Sequence, residues 1–432
     1  MDAKTLKTFL PELRRFLTHF DDCFHDHRCR QHLPVYVRGQ LSNLPRKSVE
    51  PIALKAKVPV RTLQEFLTHH EWDHLLLRDR LQQIVATDHA GPGSVGLIDE
   101  TSFVKKGTHT PGVQRQWCGH LGKVDNCVVT VHLGYTRNDF QCLIDADLFL
   151  PESWDQDRDR CRKAGIPDAI VYRPKWKIAL EQFDRAVANG LAFDWLTFDE
   201  GYGGKPEFLR ELSTRKQHWV AEVPKNTFGW LAAPKVIETS IPTGKQGRPL
   251  ATPRLAVGQP QPRRLDDWLT RRAKLKTSPW VQYRLDDRDK GPSVWEVKHV
   301  RFWPSEDGVP GPAWHLVVAR HVLQGGDVKY FLSNAPQGTS TATLLRVALT
   351  RHKVERCFQD QKTDLGMSHY EGRTYVGLMR HLHVTQLSYL FAMRAVEARR
   401  GKKGGGGVDD IAGAARGVGD AERAERGGPL AE

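Results

Sequence analysis

Apolar positions fall at helical spacing through residues 1–88 and at strand spacing after them. Leu6, Phe9, Leu10, Leu13 and Phe16 make one face of an opening helix. The stretch from Ile52 to Leu67 predicts two helices and a turn, with small Ala53 in the first, a turn near Lys57, and Val60 opening a second that carries Arg61, Leu63 and Phe66. This is the layout of a helix-turn-helix, although the turn ordinarily wants Gly where Lys57 stands, and plain helical packing gives a similar pattern.

From about residue 90 the pattern turns to strands. Val95-Gly96-Leu97-Ile98 predicts a short buried strand ending at Asp99, and Cys127 to Tyr135 a second, rich in β-branched residues. Ile166 to Gly190 reads mainly as helix after a Pro-containing turn, and Ala192 to Phe198 as a strand ending at Asp199. Strands alternating with helices predict an α/β core. Between 223 and 325 the alternation breaks: Pro242 to Pro262 is loop-like, and Trp280–Leu285, Ser293–Phe302 and Trp314–Val322 are strand-like, so a β-rich basic insertion is expected. Tyr330-Phe331-Leu332 resumes the core, and Ala342 to about Lys362 has helical spacing. After Arg399 comes an Ala/Arg/Glu-rich tail with Gly404 to Gly407 in a row, expected to be disordered. The expected divisions are a helical N-terminal region 1–88, a core in two parts, 89–222 and 326–398, the insertion 223–325, and the tail 399–432.

Composition narrows the function. Among 432 residues, Lys and Arg exceed Asp and Glu to give a net charge of +13, which favours a polyanionic partner through counterion release. No apolar run reaches the roughly 18 residues of a membrane span, and the N-terminus has no signal-peptide pattern. Seven scattered cysteines read as reduced thiols, so a cytoplasmic protein is expected. Cys23, His25, His27, Cys29 and His32 crowd together but match no closed zinc pattern.

Asp99 and Asp199 each close an apolar run. Carboxylates at the ends of buried strands project into the crevice where open α/β sheets place ligands, and hard oxygen donors of this kind suit Mg²⁺. Alone, ordinary strand-end aspartates would read the same. Arg351, Glu355 and Lys362, spaced by four and seven, fall on one helix face, an acid flanked by two cations. A surface ion pair is the plain alternative. The basic stretch Arg263, Arg264, Arg271, Arg272, Lys274 and Lys276 is a candidate grip for DNA, as is Arg61 in the N-terminal region.

Together these segments resemble the DDE transposases of bacterial insertion sequences, in the group with a Tyr-x2-Arg-x3-Glu-x6-Lys signature, and within it the SRSO-type branch. Arg351, Glu355 and Lys362 match three signature positions, while Ala348 stands where the tyrosine belongs. Further matching segments are Leu97 to Phe103, Lys105-Lys106-Gly107, Gln114 to Lys123, Phe198 to Gly203 and His369 to Arg373. The resemblance covers about residues 8 to 395. It implies a ribonuclease H-like core interrupted by the insertion, with Asp99, Asp199 and Glu355 holding Mg²⁺ (Mn²⁺ as a substitute) and Arg351 and Lys362 steadying phosphates. It also implies terminal inverted repeats and target DNA as substrates, and a homodimer on DNA in the bacterial nucleoid. Two other readings remain: a transposase descendant that binds DNA without cutting it, and a ribonuclease H-like nuclease that cuts without joining.

Overall fold

Six α-helices occupy the N-terminal region of the computed structural model, which describes residues 3–238, 252–270, 274–288, 291–322 and 327–403. They are α1 (Ala3–Leu17), α2 (His27–Arg30), α3 (His32–Gln40), α4 (Val49–Ala56), α5 (Val60–Thr68) and α6 (His74–His89). Lys57, between α4 and α5, takes the left-handed conformation at φ 58°, ψ 39°, the geometry for which Gly is favoured. Of these, α3, α5 and α6 pack on the C-terminal helix Tyr375–Lys403, and Phe9 of α1 meets its Phe391 ring. Its buried Arg380 donates to the carbonyls of Phe66, Leu67 and Trp72 at 3.4, 3.2 and 2.8 Å. Tyr36 and Gln40 of α3 reach its His381 and Thr385 at 2.9 and 2.7 Å.

Four antiparallel strands follow: β1 (Val95–Val104), β2 (Gln114–Cys118), β3 (Lys123–Arg137) and β4 (Phe140–Leu148). β3 pairs with all three others. One expectation is corrected here. The first strand does not stop at Asp99 but runs on to Val104, because Thr101 and Phe103 also bury their side chains and β3 offers a partner along its whole length, from Val95↔Thr136 to Val104↔Cys127. Asp99 therefore sits in mid-strand, opposite His132.

The chain divides into two compact units, Met1–Ala192 with His352–Glu432, and Phe193–Arg351. In the second, β5 (Trp195–Phe198) pairs in parallel with β6 (Trp219–Glu222), Leu196 against Trp219. Antiparallel strands continue from β6 through Lys329–Ser333, Trp314–His321 and Gly291–Glu306. Val281–Arg288 and Phe228–Trp230 also pair with the last of these. The strand-like runs read from sequence at 280–285, 293–302, 314–322 and 330–332 all fall on these strands. The protein is thus a mixed α/β chain. Of the loop expected over 242–262, residues 242–251 lie outside the described residues, as does the tail from Gly404 onward.

A second correction concerns the helix expected over 342–362. The structure has two, Thr341–Thr350 and His352–Asp364, with the break at Arg351. Ser340 caps the first by accepting from the Thr343 N–H at 3.1 Å. Near its end the Thr350 hydroxyl donates to the Arg346 carbonyl at 2.8 Å, a back-bond that bends helices. Glu355 and Lys362 remain seven apart on one continuous helix, whereas Arg351 precedes it.

Candidate active site

Asp99 is half-buried on β1, and its Oδ1 accepts the N–H of Glu100 at 2.7 Å. Glu100 itself pairs with Lys175 at the start of the helix Lys175–Ala188. Across from Asp99, His132 is fully buried; its Nε2 lies 2.7 Å from the Thr130 hydroxyl and its ring edge-on to Phe358 at 5.1 Å. Burial first, then the Lys362 charge, push His132 down to about 3, so it is neutral at any physiological pH.

The helix His352–Asp364 lies against β1 because Val354, Cys357, Phe358 and Gln361 make a buried face. That packing carries Lys362 over the Phe103 ring at 5.5 Å, with its Nζ 3.3 Å from the Ser102 carbonyl. Burial lowers the Lys362 ammonium from its ordinary value, against the pull of Cys118 and Asp99, so the cation feels the Asp99 carboxylate. Glu355 is exposed two turns earlier on the same helix. Asp360 points elsewhere. It is buried, bound to Arg356 at 2.8 Å and to the Tyr389 hydroxyl at 3.3 Å, and burial raises its carboxyl.

Asp199 belongs to the second unit. It follows β5 and caps the short helix Glu200–Gly203, accepting the Gly201 N–H at 2.9 Å. The turn is closed tightly against β6: a Cβ at Gly203 would stand 1.9 Å from the Glu222 carbonyl oxygen. In the same unit Arg351 lies 3.9 Å from Glu222, and Ala348 is buried in the helix Thr341–Thr350.

The other sequence candidates sit as follows. Arg61 is exposed on α5 and paired with Glu65 at 2.7 Å. Arg263 lies over the Trp268 ring at 5.2 Å, and Arg264 is held twice by Asp266, at 3.0 and 2.7 Å. Arg271 and Arg272 lie outside the described residues. The structure thus brings Asp99 and Lys362 together in the first unit, with Glu355 on the Lys362 helix. His132 was not singled out from sequence, because inside an apolar run nothing but the cross-strand register reveals that it faces Asp99. Among the described residues no group of three or more His, Cys, Asp or Glu stands close enough to hold an ion, and no helix is long and apolar enough to cross a membrane.

Comparison with known proteins gives two findings. The family described as "DDE superfamily endonuclease" matches residues 19–286, a span that holds Asp99 and Asp199 and ends before Glu355. The "Probable transposase for insertion sequence element IS701" of Microchaete diplosiphon is 29% identical over 195 residues, 44% of this chain and 48% of that protein. The chain therefore spans about half the length of that relative.

Proposed function

The chain belongs to the DDE superfamily of endonucleases, and from that premise we propose that it is an insertion-sequence transposase. It would cleave the ends of its element and join them to target DNA. The observation that carries this reading is that the family match encloses both aspartates set on or at the end of core strands, while the Glu355 helix lays Lys362 beside the Asp99 strand. The transposase to which the chain is similar points the same way. The core would be ribonuclease H-like, formed by 89–222 and 326–398 around the insertion 223–325, with 1–88 as the helical region that reads the element's ends.

Endonucleases of this kind generally use divalent metal ions, and the donor chemistry fits. Asp99, Asp199 and Glu355 offer the hard carboxylate oxygens that Mg²⁺ takes, with Mn²⁺ as a substitute. When bound, two such ions supply activation of the attacking hydroxyl and stabilisation of the leaving oxygen. The chain's cations position the substrate. Lys362, fixed by Phe103 and the Ser102 carbonyl, is preset to hold a phosphate oxygen near Asp99, and Arg351 would hold another. His132, neutral and buried, stands beside Asp99 on the same face of the sheet and adds no charge there. Arg61, Arg263 and Arg264, with Arg271 and Arg272, would contact backbone phosphates outside the cut site. Two ends processed together imply a homodimer on DNA.

Glu355→Gln against Asp360→Asn tests the assignment. Glu355→Gln keeps shape and removes charge, and is expected to stop strand cleavage of DNA carrying the inverted repeats that flank the gene. Asp360→Asn is expected to cleave, since Asn can still accept from Tyr389. The opposite pattern would move the third acid to Asp360 and overturn the assignment.

A further inference from the structure

The hairpin of β2 and β3 carries an apolar face that the protein leaves open. Trp117 and Val124 are directly opposed across it and are 60% and 52% exposed. Directly opposed residues of an antiparallel pair share a face, and every second residue along a strand returns to it. Asp99↔His132, Thr101↔Thr130 and Phe103↔Val128 on β1 and β3 therefore lie on the same face as Arg115↔Asn126 and Trp117↔Val124 on β2 and β3. The Glu355 helix covers the part around His132 and Phe103, and it ends at Asp364. Beyond it the face lies open.

What surrounds this open face is cationic. Arg115 is exposed on this face and His120 at the turn beyond it, while Lys123 and the hairpin's acid, Asp125, share the opposite face and are paired at 3.4 Å. The Asn126 side chain donates to the carbonyls of Lys105 and Gly107 at 2.7 and 2.8 Å, which ties the Lys105-Lys106-Gly107 loop to the hairpin with Lys106 exposed. An exposed indole among cations, on the face that carries Asp99, is the combination that binds single-stranded nucleic acid: charge for the backbone and a flat ring for a base. Trp117 is brought near Asp99 by the curl of the hairpin, which sets its neighbour Cys118 3.3 Å from Ser102, three residues along β1 from Asp99.

We propose that this face is a platform for the unpaired DNA strand leading from the scissile phosphate, with one nucleobase stacked on Trp117 beside Val124. Lys362 meets the strand nearest Asp99, the Lys105–Lys106 loop meets it next, and Arg115 grips the phosphate beside the stacked base. The inference rests on the reading of the protein as a DNA-cutting transposase, but binding tests it separately from cleavage.

The experiment measures the affinity of the full chain, in chelator, for one duplex with a blunt end and for the same duplex with an oligothymidine tail. The wild type is expected to prefer the tail. Trp117→Ala should lose that preference by about tenfold or more and leave blunt-end binding unchanged, while Trp117→Phe keeps most of it. Arg115→Ala should lower the salt dependence of tailed binding by about one phosphate contact. A wild type without preference for the tail, or a Trp117→Ala protein that binds the tail as the wild type does, would overturn the platform. So would a Trp117→Ala change in oligomeric state with DNA binding intact, which would make the face a protein interface. Cleavage of flanking-repeat DNA with Mg²⁺, run alongside, separates the two ideas. Cleavage without tail preference removes only the platform, and tail preference without cleavage removes only the transposase.

Discussion

Lys57 holds a left-handed backbone, φ 58° and ψ 39°, that costs an L-residue about 1 kcal/mol over glycine. Lys57→Gly is therefore expected to raise stability by about that amount, read as a higher urea midpoint; a lower midpoint would show that the Lys57 side chain contributes contacts of its own. Gly203 is the converse case. The carbonyl of Glu222 stands where its Cβ would go, 1.9 Å away, and backbone cannot step aside as a flexible side chain can. Gly203→Ala is expected to cost about 3 kcal/mol and to displace the turn that presents Asp199. Wild-type stability in this variant would contradict the tight packing of that turn.

Among the elements, the C-terminal helix does work that its sequence does not announce. Arg380 is buried among backbone carbonyls at the end of α5 and after it, so Arg380→Met strips three acceptors of their donor and is expected to cost roughly 3 kcal/mol in urea unfolding. A loss below about 0.5 kcal/mol would show that those carbonyls find other partners. The strands around 95–98, 127–135, 195–198, 281–285, 293–302, 314–321 and 330–332 were legible from their apolar runs, and the Glu355 helix from its repeating buried face, whereas Gln114–Cys118, Phe140–Leu148 and Trp219–Glu222 were not read as strands. What stayed hidden depends on partners distant in sequence. Asp99 read as a strand end because Glu100 and Thr101 are polar, yet β3 continues the pairing past them. The division of the helix at Arg351 leaves no mark in the spacing of apolar residues. His132 and Trp117 gain meaning only from the register, which decides that they share the Asp99 face.

On the scale of the whole molecule, buried histidines tie stability to pH. Burial holds His132 down to about 3 and His381 to about 4, below the ordinary 6.5 that the unfolded chain recovers. The unfolded state therefore takes up protons first on acidification. The stability is present above about pH 6.5 and is lost as pH falls toward 4, at about 1.4 kcal/mol per pH unit for each histidine. The urea midpoint should fall between pH 7 and pH 5, and less steeply in His381→Gln; equal slopes would contradict this. Because the N-terminal helices share a unit with the C-terminal helix, DNA contact by residues 1–88 is better probed by Arg61→Ala than by deletion. The most direct test of the central claim is strand cleavage by Asp99→Ala on DNA bearing the flanking inverted repeats, with Mg²⁺ and with chelator. The wild type is expected to cut only with metal, and Asp99→Ala to bind these ends without cutting them. Cutting by Asp99→Ala, or by the wild type in chelator, would contradict that claim.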